Sequence, residues 1–116
     1  MNDKTALRER YLRDSLPVRL GGLAANLRRI KSFAGREENR DAVAGLIDES
    51  KFFIEWTAAE AELDTAAELV ELQIQLARWQ CRWGKMWSDT TQRGQIAEQS
   101  RVWSDRVLTL SGLMNS

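Results

Sequence analysis

Apolar residues recur along this chain at spacings of three and four, the period of an amphipathic helix, with no sustained alternation that would mark a strand. Leu7 and Tyr11 lie one helical turn apart, so residues 1–14 read as a short helix or an arm laid against the body. Ser15 followed by Leu16 and Pro17 is a start signal, because serine caps a helix and proline fits its first turn. Leu20, Leu23, Leu27 and Ile30 then form the inward row of a segment that ends near Gly35. Gly21 and Gly22 weaken its first turns by roughly 1 kcal/mol each relative to alanine, a defect that close helix packing would explain.

A second long segment begins between Glu37 and Asp41 and carries Val43, Leu46, Ile47, Ser50, Phe53 and Ile54 on a broad face, with Phe52 and Trp56 as a further pair. The capping-box spacing occurs twice, at Thr57 to Glu60 and at Thr65 to Glu68. The chain either bends near Thr57 and continues through a short helical link, or continues to Leu63 and turns at Asp64; the first is the working expectation. The following helix runs to about Trp87, because Trp79, Trp83 and Trp87 are spaced four apart. Ser88 to Gly94 supplies the next turn, with Thr91 as its cap, and a last helix carries Ile96, Gln99, Trp103, Val107 and Leu110 until Ser111 and Gly112 end it.

The helix ending at Trp87 has a polar ridge of Asp64, Glu68, Glu71, Gln75, Arg78, Arg82, Lys85 and Asp89, acidic first and basic last, an order that complements the helix dipole. Opposite that ridge lie Ala66, Leu69, Gln73, Ala77, Gln80, Gly84 and Trp87, the expected inward face. Its two glutamines then need a partner on a neighbouring helix or a wet groove. Leu72, Trp79, Trp83 and Met86 form a second apolar band nearer the ridge. Tryptophan, methionine and arginine favour interface hot spots, so Leu72, Trp79, Arg82, Trp83 and Met86 are the candidate protein-contact group. The competing reading places all five tryptophans in one small core.

The 116 residues suit one domain, and a single proline with abundant Ala, Leu, Glu, Gln and Arg favours helix. The formal net charge is zero, from 17 basic and 17 acidic residues, which gives no global field for nucleic acid or an anionic membrane. Distribution matters more than the sum: residues 1–40 are basic, 41–71 acidic and 72–116 basic again. Arg28, Arg29, Lys31, Arg36 and Arg40 cluster at the end of the first long segment, either as a solvated helix terminus or as a phosphate-contacting patch.

Catalytic chemistry is sparse. The absence of histidine removes the usual neutral-pH acid or base and the ordinary ligands of zinc or diiron bundle sites. The single cysteine, Cys81, has no histidine to activate it and reads as a packed apolar side chain. No phosphate loop, dinucleotide fingerprint, paired cysteine ligands or helix-turn-helix signature is present. No metal or cofactor is therefore expected, nor membrane insertion, and the cytoplasm is the expected location.

The runs from Glu49 to Thr57 and from Thr65 to Gln73 loosely resemble small uncharacterised helical proteins of cyanobacteria, a resemblance that implies no defined activity. The expected fold is all-α, an up-and-down four-helix bundle over residues 15–113 with a short N-terminal helical arm over 1–14. The expected function is a noncatalytic protein-interaction module, adaptor or regulatory subunit that binds a protein partner or itself. The alternative is nucleic-acid association through the basic cluster at 28–40.

Overall fold

Each break in the apolar pattern becomes a turn. The computed structural model describes residues 3–113 and places α1 at Asp3–Arg13, α2 at Leu16–Phe33, a 3₁₀ turn at Glu37–Asn39, α3 at Arg40–Ala58, α4 at Leu63–Cys81, α5 at Trp83–Ser88 and α6 at Thr90–Ser111. The fold is an all-α helical bundle, but the expected up-and-down four-helix count is wrong: the described residues form six α-helices. The N-terminal piece is a helix of 11 residues, and the helix expected to run through to Trp87 breaks at Arg82, whose φ of −111° and ψ of 14° leave the helical region.

The break reorients the chain between Trp79 and Trp87. With the break, both are buried, and Trp87 donates its indole N–H to the Glu37 carbonyl at 2.8 Å, satisfying a donor that burial would otherwise strand.

Helix α2 packs along α6 and along α3, and α4 packs against α3. Its row of Leu20, Leu23, Leu27 and Ile30 is buried as the spacing predicts. Helix α6 faces it with Ile96, Ser100, Ser104, Val107 and Ser111, and these mostly small side chains permit a close approach. Ser104 Oγ donates to the Ala24 carbonyl across that seam at 2.8 Å. At Gly21 a Cβ would sit 2.9 Å from Leu113 Cδ1, so the missing side chain there makes room for the chain beyond α6.

Helix α1 is held by a polar junction rather than by apolar area alone. Tyr11 stacks on Phe53 with ring centroids 4.0 Å apart, donates through Oη to the Arg19 carbonyl at 2.8 Å, and accepts from Thr57 Oγ1 at 3.1 Å. The buried Arg19 guanidinium donates to the Asp14 carbonyl at 3.1 Å and grips Glu60 with two bonds of 2.8 and 3.1 Å. Three helices and the α3–α4 turn thus meet at one satisfied charge.

Helix termini depart from the expected caps. Ser15 does precede α2, with proline in the first turn, but makes no side-chain cap bond. The chain turns between Ala58 and Leu63 with no intervening helical link, and neither Thr57 nor Thr65 caps α4; Glu62 precedes it. Asp89, not Thr91, caps α6, accepting from the backbone N–H groups of Thr91 at 2.9 Å and Gln92 at 3.3 Å. Those donors and the Gln92 side chain hold the Asp89 carboxyl below its ordinary range. Gly112 ends the helix with a φ of 76°, the left-handed conformation glycine adopts freely.

Candidate protein-contact surface

Helix α4 buries Leu69, Leu72, Leu76 and Trp79. Of the inward face expected from Ala66, Leu69, Gln73, Ala77, Gln80, Gly84 and Trp87, only Leu69 and Trp87 are buried, and the band placed near the outer flank supplies Leu72, Trp79 and Met86 to the core. Side-chain volume decides this: burying leucine and tryptophan gains roughly 1.5 to 3 kcal/mol each, whereas alanine offers little area and glutamine must be bonded. Gln80 lies toward α3 and accepts from Lys51 Nζ at 2.6 Å, while the buried Gln73 Oε1 has no partner among the described residues.

The sequence-derived contact group is consequently divided. Leu72 is fully buried, Trp79 is nearly so, Met86 is at the edge of the core, Trp83 is half-buried with its ring 5.1 Å from that of Trp87, and Arg82 is exposed. Trp79, Arg82 and Met86 come together along a groove of about 520 Å³ between α4–α5 and α6, completed by Gln75, Arg78, Gln92, Gln95 and Gln99. Toward the other end of the same seam, Glu68 of α4 pairs with Arg106 of α6, whose guanidinium also lies 5.4 Å from the Trp103 ring. Leu72 and Trp79 are thus anchors of the core, and the apolar surface that α4 offers outward is made of other residues.

That surface is a row missed by the sequence reading. Leu63, Val70 and Ile74 are 83%, 51% and 47% exposed, and Ala67, Ala77 and Cys81 continue the same line. At roughly 100° per residue, all six fall within about 40° of one direction, opposite the buried row. A surface helix ordinarily carries polar residues there. The available signal was the repeat of seven: 63, 70 and 77 interleave with 67, 74 and 81, the a and d spacing of a helix-pairing seam. One flank of this row carries Asp64, Glu71 and Arg78, all exposed, with Lys85 following on α5 past the break, and none of the four has an ion-pair partner among the described residues.

The basic cluster is partly engaged within the chain. Arg28 lies 3.8 Å from Asp105, Arg29 donates to Asn26 Oδ1 at 3.1 Å, and Arg40 lies 3.5 Å from Asp41, while Lys31 and Arg36 are exposed. Cys81 is exposed, contrary to the packed position expected of it. Among the described residues no group of three or more potential ligands is placed to hold a metal ion, and no helix is long and apolar enough to cross a membrane.

No protein-family model matches this chain, nor does any curated protein or solved structure.

Proposed function

We propose that the chain is a noncatalytic protein-interaction module whose contact face is the outer surface of α4. One observation carries this reading: the most solvent-facing line of α4 is apolar from Leu63 to Cys81, although the same helix has already filled the core with a separate row. Scattered apolar residues on a surface need no explanation, but an unbroken line over five turns of helix does. Covering it from water is a standing driving force for association. The Arg78 and Arg82 side chains beside the row add charge that orients a partner.

The test is a photo-crosslinking residue installed at position 70 of the full chain and irradiated in native cell extract, with position 55 on the exposed part of α3 as the comparison. Discrete adducts at 70 and not at 55 are expected. Equal, diffuse labelling at the two positions would overturn the reading.

A further inference from the structure

We propose that the occupant of this face is a second copy of the chain, laid antiparallel along α4, an inference that rests on the contact reading just given. The apolar row supplies the seam, and the flanking charges supply the orientation. Asp64, Glu71 and Arg78 recur every seven residues beside that row on α4, acidic first and basic last, while Lys85, the next in sequence, lies past the Arg82 break on α5. An antiparallel copy centred between Glu71 and Arg78 therefore sets Glu71 against the partner's Arg78, and the two-fold axis repeats that pair. The other flank of the row carries Ala66, Gln73 and Gln80, which have no charge. In a parallel pair each charged flank would face that neutral one, because e positions then meet g positions, so charge complementarity selects the antiparallel arrangement.

The remaining details agree. Among the described residues Asp64, Glu71 and Arg78 have no ion-pair partner, although Glu68, one turn away, is paired to Arg106. The residues in the seam are short apart from Leu63, Val70 and Ile74, which lets two helix backbones approach closely. Helix α4 has 19 residues and so spans about 28 Å, a small interface. Its dissociation constant is expected in the micromolar range.

Sedimentation equilibrium of the purified full chain from about 1 to 300 μM is the test, the range chosen to bracket that constant. A concentration-dependent dimer is expected, lost in the double variant Val70→Glu/Ile74→Glu with the far-UV helical signal unchanged, since both positions are exposed. Glu71→Arg or Arg78→Glu alone should each weaken the dimer about tenfold by opposing like charges at both ends, and the two together should restore it to within about threefold. Cys81 of the two copies would lie far beyond disulfide reach, so mild oxidation should leave no covalent dimer. Single charge reversals without effect, or rapid Cys81 cross-linking, would overturn the antiparallel arrangement. A monomer at every concentration, with position 70 still cross-linking to another protein in extract, would overturn self-association and leave the contact reading standing; loss of both signals would end the two together.

Discussion

Tyr11 ought to ionise late, and its ionisation ought to loosen the fold. It is the chain's one tyrosine, its ring is buried against Phe53, and its hydroxyl is shared between the Arg19 carbonyl and Thr57. Burial raises its pKa from 10.0 to about 12, opposed in part by the Thr57 hydrogen bond and the nearby Arg19 charge. The native state therefore holds the phenolic proton more tightly than the unfolded chain does. Stability that is complete below pH 10.0 is lost progressively as pH climbs toward about 12. A shift of this size corresponds to roughly 3 kcal/mol, a large part of the 5 to 15 kcal/mol that holds a typical domain together.

Two measurements check it. The tyrosinate absorbance band, titrated in the native protein, reports this side chain alone and should have its midpoint well above that of free tyrosine. Urea unfolding should show a falling midpoint over the same interval. Tyr11→Phe removes the hydroxyl and leaves the Thr57 and Arg19 groups short of a partner, so at neutral pH it should destabilise by about 1 to 2 kcal/mol. Above pH 10.0 the variant has no proton to lose, and its stability curve should cross that of the parent before about pH 12. Parallel curves, or native-state ionisation at the free-tyrosine value with no loss of stability, would refute the reasoning.

Three further outcomes are expected. Leu72→Ala should cost about 3 kcal/mol in urea unfolding by opening a core cavity, whereas Val70→Ala, two residues away on the exposed side, should stay within about 0.5 kcal/mol in dilute, monomeric solution; similar losses would mean that the α4 faces are misassigned. Trp87→Phe should lower the thermal midpoint by an amount equivalent to about 1 to 2 kcal/mol, because the Glu37 carbonyl loses its donor; no change would show that the α5 anchor carries no load. Asp89 and Glu60 both have carboxyl pKa values depressed by their hydrogen bonds, so the stability each contributes is present above its ordinary carboxylate pKa and is lost as pH falls through the lower native value. Asp89→Ala should accordingly reduce the unfolding midpoint at neutral pH and shallow the acid limb, and an acid limb identical to the parent's would count against the cap.

Much of the architecture was legible because spacing and punctuation act locally. The Ser15–Pro17 start, the inward leucines of α2, the face of α3 and the Gly112 stop are all set by residues within a turn or two of one another. The break at Arg82 was not legible, since nothing at Arg82 itself forbids helix, and the Glu37 carbonyl that receives the Trp87 indole beyond it is 50 residues away. The same holds for the Tyr11–Arg19–Glu60 junction, in which Glu60 looked like part of a capping box and instead neutralises a buried guanidinium 41 residues earlier. Of the contact group, Arg82 is exposed, while Leu72 and Trp79 are drawn inward.

The misplacement on α4 has a physical cause that also bears on what the helix is for. A helix with one apolar stripe has a single preferred rotation toward the core, but α4 has two: Leu69, Leu72, Leu76 and Trp79 on one side, and Leu63, Val70 and Ile74 on the other. The two stripes flank the alanine and glutamine face, so periodicity alone points between them, toward that face. Volume breaks the tie in favour of leucine and tryptophan and leaves the lighter stripe to solvent. The acidic-to-basic order along the helix is explained by the dipole alone, wherever on the surface those charges sit. What the dipole does not require is that Asp64, Glu71 and Arg78 keep to one line of α4, seven residues apart, immediately beside the apolar row. In the proposed dimer that register is read by the second helix, which is why reversing Glu71 and Arg78 singly and together separates a pairing code from helix electrostatics: the dipole loses further when both are reversed, and the pairing is restored.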